Sequence, residues 1–262
     1  MLNKVLAATV SIGIIGLTAG VSEAAELRGF YTFDGNGDEA TGLGPDLAQF
    51  GTVNYVNGLD GQAASFNRTG WLRADINSSG HVNPTFSWGA WVKLNDPNGW
   101  NIFLSNDNHG WDRFTQVQAG KWSVSHRGVV RSPYDTSTEW TFVAQTFDGT
   151  TQSLYVNDNP VFQTADFPNV SQSFIDIGRN ANGAYPLDGL MDGVFFFDDV
   201  LTESQVATIA EGGAGGCGVY AVAGLQNSTC DGEPESVPEP MGVLGSVIAI
   251  GLGSFLKKKQ NG

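Results

Sequence analysis

"WTFVAQTFDGTTQSLYVNDNPV", residues 140–161, decides the architecture. In Trp140-Thr141-Phe142-Val143-Ala144, and again in Ser153-Leu154-Tyr155-Val156, apolar side chains recur at two-residue spacing, the period of a strand with one buried face. Asp148-Gly149 stands between the two runs and Asn157-Asp158-Asn159 follows the second, and both are hairpin-turn chemistry. The stretch predicts two antiparallel strands with a tight connection.

The same texture extends outward. "FSWGAWVKL" (86–94), "KWSVSHRGVV" (121–130) and "SFIDIGRN" (173–180) are short runs of β-branched and aromatic residues divided by Gly, Asn, Asp and Pro. In the body only "LTESQVATIAEGG" (201–213) has a helical pattern, with Thr202 as cap, Gln205 as its capping-box partner and Gly212 as the stop. Many strands and one short helix predict an all-β fold, a two-sheet antiparallel sandwich. At 262 residues, one large all-β domain is as compatible as two smaller ones. No fixed-period repeat is present. From Gly212 to Ser236 the periodicity disappears and Gly, Asn, Ser and Pro rise, which reads as a linker.

Twenty-seven acidic residues oppose 13 basic ones, a formal charge of −14 and a pI near 4.4. Phosphate backbones and anionic lipid are poor partners for such a body, so nucleic acid is not expected. Cations, neutral ligands and proteins are left.

The two ends are treated separately. Lys4, the apolar run Val5 to Leu17, and Ser22-Glu23-Ala24 read as a secretory signal over 1–24. Export makes Cys217 and Cys230, the only two cysteines, a disulfide pair. Closing that short loop stabilises it by roughly 3 kcal/mol on the loop-entropy account. The chain ends "SVPEPMGVLGSVIAIGLGSFLKKKQNG": Val237-Pro238-Glu239-Pro240, then an uncharged segment Met241 to Leu256, then Lys257 to Lys259. As a helix, 241–256 is about 24 Å long, slightly short of a bilayer core, with lysines to snorkel at its end. The lysines place the tail in the cytoplasm and the body outside. The reading is signal peptide 1–24, sandwich 25–211, linker 212–236 and tail 237–262 with a membrane helix at about 241–256, so that apolar helices stand at both chain ends.

A Pro-Glu-Pro box, a short apolar helix and a basic end resemble the PEP-CTERM sorting signal of exported bacterial proteins. That resemblance implies an exosortase-type processing enzyme as partner, with the body at the cell surface and the helix in the inner membrane before or after processing.

The body resembles a second family. "GFYTFDGNGDEATG" (29–42), "GLDGQAASFNRTGWLRAD" (58–75), "TFSWGAWVKL" (85–94), residues 140–161 and "LDGLMDGVFFFDDVLTESQVATI" (187–209) look, in that order, like the laminin-G-like, concanavalin A-like jelly-roll domain over about 27–211. One departure is visible: where the family often has Glu after the second Asp of the closing motif, this chain has Gly193. The resemblance implies a structural calcium ion between the loop after the first strand and the last strand, at Asp34 and Asp192. The residues themselves add that Asp34, Asn36 and Asp38 put oxygen ligands at alternate positions of a glycine-loosened loop, which suits calcium. It is not an EF-hand, since Glu39 and Pro45 stand where that loop needs Gly and Glu.

Relatives of this fold include glycoside hydrolases, whose carboxylate pair flanks the scissile bond. Their Glu-x-Asp-x-x-Glu strand is missing, and Glu39, Glu139, Glu203 and Glu211 are scattered over loops and the helix. His81, His109 and His126 have neither nucleophile nor metal-ligand spacing, and no phosphate-cradling loop is present. No catalytic residue is assigned. For ligand binding, "NGWNIFLSNDNHGWDRF" (98–114) offers Trp100 and Trp111 as flat faces with Asn106, Asp107 and Asn108 between them. The sequence thus predicts an exported, non-enzymatic module that binds extracellular polysaccharide or matrix. The alternative is a surface protein that adheres to other proteins without sugar specificity.

Overall fold

The computed structural model describes residues 24–76, 85–107, 113–125, 128–166 and 172–230. The chain divides into two units, 1–227 and 228–262, and the first holds every element below. In chain order the strands are β1 (Leu27–Tyr31), β2 (Ala48–Phe50), β3 (Asn54–Asn57), β4 (Gln62–Asn67), β5 (Trp71–Ala74), β6 (Phe86–Leu94), β7 (Asn101–Ser105) and β8 (Phe114–Gln118). They continue with β9 (Lys121–Ser125), β10 (Val129–Asp135), β11 (Thr141–Phe147), β12 (Thr151–Val156), β13 (Phe162–Ala165), β14 (Ile175–Ile177) and β15 (Asp188–Phe197). Helices α1 (Glu203–Glu211) and α2 (Cys217–Val222) follow.

All the pairings are antiparallel and build the expected two-sheet sandwich. One sheet runs β13-β12-β11-β6-β15-β4-β3, with β1 also on β15; the other runs β10-β9-β8-β7-β14-β5-β2. The β11–β12 hairpin forms where residues 140–161 predict it, pairing Val143 with Val156 through Phe147 with Gln152. Asp148 closes the turn by accepting from the Thr150 and Thr151 N–H groups, and Gly149 takes φ +97° there.

The two-residue alternation implies one buried face, yet all seven residues of β11 are buried. Val143 and Phe147 point into the space between the sheets. Phe142 and Ala144 point the other way, into a second apolar cluster with Trp91, Phe195, Val206, Ile209 and Val219. The helices cover the outer face of the eight-stranded sheet, so β11 buries both of its faces.

Helix α1 has the caps read from sequence. Thr202 accepts from Gln205 N–H, the Gln205 side chain accepts from Thr202 N–H, and Gly212 ends the helix. Helix α2 is a correction: it lies in the segment read as a linker, and its Val219 and Val222 are buried. Gly218, a turn signal in the sequence, instead permits close helix–helix approach, because a Cβ there would stand 2.2 Å from Thr208 O. Cys217 and Cys230 are disulfide-bonded, as expected.

The interior is not wholly apolar. Trp88 Nε1 donates to Thr115 Oγ1 (2.7 Å), Thr115 donates to Gln145 Oε1 (2.6 Å), Gln145 donates to Gln152, and Gln152 Nε2 donates to Ser125 O (2.5 Å) and to Asp166. These groups join both sheets and satisfy one another, as burial requires.

The expected membrane anchorage is corrected. No helix among the described residues is long and apolar enough to cross a membrane. The segments that carried the expectation, the signal over 1–24 but for its last residue and the tail with Val237, Pro238, Glu239, Pro240 and the 241–256 helix, lie outside the described residues.

Candidate functional site

Two places gather the predicted residues. The first is the loop Gly58–Gly61 between β3 and β4, held from two sides. Asp192, on β15, accepts from Leu59 N–H (2.9 Å) and Asp60 N–H (3.1 Å) through Oδ2. Asp34, after β1, accepts from Gln62 N–H (2.8 Å) through Oδ1. Both glycines are required by closeness. A Cβ on Gly61 would stand 2.0 Å from Asp34 Oδ1, and one on Gly58 would stand 2.6 Å from Asp192 Oδ2.

Asp192 is fully buried, and its Oδ1 has no hydrogen-bond partner. Burial pushes its carboxyl up to about 7; the loop N–H groups oppose this, and the charge of Asp34 adds to it. A buried carboxylate oxygen without a donor, facing a second carboxylate, is chemistry that a divalent cation satisfies. Asn36 and Asp38 do not join it: Asn36 Nδ2 donates to Asp38 Oδ2 (2.6 Å), and Asp38 N–H donates to Asn36 Oδ1 (3.1 Å). Among the described residues no group of three His, Cys, Asp or Glu is placed to hold a metal. Among the described residues, then, Asp192 Oδ1 is left without a donor, while Asn36 and Asp38 bond each other. The two N–H donors of Leu59 and Asp60 were missed in the sequence; the Gly-x-x-Gly spacing was their signal.

The second place is the outer face of the seven-stranded sheet. Leu72, Leu104, Val117 and Ile177 face the core, so Trp71, Arg73, Gln116 and Asp176 face outward. The Trp100 ring stacks on Tyr185 at 3.7 Å and 11°, and its Nε1 donates to Gln116 Oε1 (2.7 Å). Tyr185 is held at φ +50°, a left-handed conformation that a bulky residue adopts only under constraint, with its carbonyl accepting from Ile102 N–H. Gln116 Nε2 and Trp71 Nε1 are buried donors without acceptors. Trp71 is covered on its faces, by Phe50 at 5.0 Å and by the Arg179 guanidinium at 3.4 Å. Arg73 and Arg179 both bind the buried Asp176 carboxylate, at 2.7 and 2.8 Å.

Of the ligand residues expected in 98–114, Trp100 lies on this face. Asn106 and Asp107 are buried and structural. Asn106 Nδ2 donates to the Gln172 and Phe174 carbonyls, and Asp107 Oδ2 accepts from Asn180 and Asn182. Asn108, Trp111 and all three histidines lie outside the described residues. Tyr185 was missed because its role rests on backbone strain and a partner 85 positions away.

A family model described as Laminin_G_3, concanavalin A-like lectin/glucanases superfamily, matches residues 67–207. No curated protein matches the chain. Among solved structures, domain 4 of an extracellular GH43 arabinanase from Geobacillus stearothermophilus, in complex with arabinotriose, is similar at TM-score 0.59 and 22% identity, over 72% of this chain and 100% of that one. The receptor-binding domain of botulinum neurotoxin C/D mosaic serotype is similar at TM-score 0.55 and 14% identity, over 71% of this chain and 51% of that one. The binding domain of botulinum neurotoxin DC in complex with SialylT is similar at 0.52 and 9%, over 71% and 50%. The chain spans about half of each toxin chain, and at these identities the likeness is one of fold.

Proposed function

We propose, for a chain that belongs to the concanavalin A-like lectin/glucanases superfamily, a non-enzymatic module that binds polysaccharide on the outer face of its seven-stranded sheet. The observation that carries this reading is the Trp100–Tyr185 stack, a flat aromatic surface held in place by a strained backbone. Strain of this kind costs of order 1–3 kcal/mol and collects at ligand-binding positions. The face from Gln116 to Trp71 is three strand spacings wide, about 14 Å at ~4.8 Å per strand, a span suited to a chain of several sugar units. The arabinanase domain of like fold was solved with arabinotriose, which supports a saccharide as the ligand class.

A calcium ion between Asp34 and Asp192 belongs to this reading as a structural element. It would supply the charge that those two carboxylates lack, while the chain's own groups fix the Gly58–Gly61 loop. The tail from Val237 to Pro240 and beyond is proposed as the segment read by an exosortase-type enzyme.

The test is binding of the folded protein to a panel of neutral and acidic polysaccharides, with free oligosaccharide as competitor. Saturable binding that one saccharide class displaces is the expected result. Binding that free sugars leave untouched would point to protein adhesion.

A further inference from the structure

A groove runs along α1 on the other side of the molecule, between the helix and the β11–β12 hairpin. One part, of about 310 Å³, is lined by Phe142, Tyr155, Asp158, Glu203 and Glu211. The adjoining part, of about 370 Å³, shares Phe142, Asp158 and Glu211 and adds Trp140. The floor is aromatic and the rim is acidic. No Lys, Arg or His lines either part.

The three acids are exposed. None of Asp158, Glu203 and Glu211 forms an ion pair with a described residue. Glu203 stands in the first turn of α1, where the helix dipole favours an anion. Glu211 stands in the last turn, where the dipole disfavours one, and no basic residue accompanies it. The groove thus holds a negative charge at a position that costs the isolated protein stability.

We propose that this groove is a second binding site, independent of the polysaccharide reading, that receives a lysine or arginine side chain from an extended segment of a partner protein. The cation lies against the Trp140 ring, with the Asp158 and Glu211 carboxylates at its charged end. Cation–π contact and charge complementarity are the two interactions that this combination of residues offers. A neutral sugar gains nothing from the carboxylates of Asp158 and Glu211, and a bare divalent ion gains nothing from the aromatic floor.

The test uses the full chain and a blocked hexapeptide carrying one arginine and one lysine, followed by calorimetry and by the Trp140 indole N–H resonance. The expected result is saturable binding with a shift at Trp140, weakened roughly five- to tenfold by Glu211→Gln, which leaves the helix intact. Asp158→Asn should weaken it in the same direction. A peptide with norleucine and citrulline in place of the two cations should not bind. Equal affinity for wild type and both variants, or shifts spread over the whole acidic surface without saturation, would overturn the proposal.

Discussion

Calcium-free protein loses stability as pH rises from about 4 to about 7, and Asp192→Asn removes the loss. The native state holds the Asp192 proton up to about pH 7, whereas an ordinary aspartate releases it near 3.8. Between those values the folded chain binds more protons than the unfolded chain, so stability is highest at the acidic end and declines as pH climbs through the window. The slope contributed by one such group approaches ~1.4 kcal/mol per pH unit inside the window and vanishes above it. Asn at 192 keeps an oxygen for the Leu59 and Asp60 N–H groups and carries no charge, so its melting temperature should be nearly flat over the same range. Calcium at pH 7.5 should raise the melting temperature of the wild type and leave Asp192→Asn unmoved. Thermal melts at four pH values, with calcium and with chelator, measure both effects. A wild-type curve that is flat from pH 4 to 7 would contradict a buried Asp192 that keeps its proton over that range.

Restoring the family's usual residue at 193 should be the most damaging single change considered. Gly193 has φ +56°, at the irregularity where β15 shifts register against β6 between Asp192 and Phe195. A Cβ there would stand 2.8 Å from Ala214 O and 2.8 Å from the Trp91 ring. Gly193→Glu adds left-handed strain, overpacking and a buried carboxylate beside Asp192. Together they should cost roughly 3 kcal/mol or more. Gly193→Ala isolates the backbone and first-atom share and should cost less. Chemical denaturation of the two variants checks the order, and a Gly193→Glu protein as stable as the wild type would refute the account of this bulge.

The strand pattern was legible because β-branched and aromatic runs and Asp-Gly turns are local signals; the β11–β12 hairpin and the Thr202–Gln205 cap stand where those residues put them. What the alternation hid was the second layer. The two-residue spacing of Trp140, Phe142 and Ala144 implies one buried face, but Phe142 and Ala144 meet α1 and α2 while Val143 and Phe147 fill the space between the sheets. Helix α2 itself was illegible because six residues with a glycine inside carry no period, and its Gly218 serves packing and not a turn. Resemblance pointed to Asp34 and Asp192, which both hold the loop before β4, whereas the alternate oxygens of Asn36 and Asp38 bond each other, as short polar side chains two apart readily do. Asn106 and Asp107 misled in the same way, since a polar loop residue is as useful for holding loops together as for meeting ligand.

The central claim is that the aromatic surface on the seven-stranded sheet meets polysaccharide. Its most direct test compares wild type with Trp100→Ala and Tyr185→Ala for binding to the best saccharide from the panel, each variant first shown to be folded by its melting curve. The account predicts at least about a tenfold loss of affinity for each, near 1.4 kcal/mol, with the peptide affinity of the α1 groove unchanged. Folded variants that bind the saccharide as tightly as the wild type would contradict it.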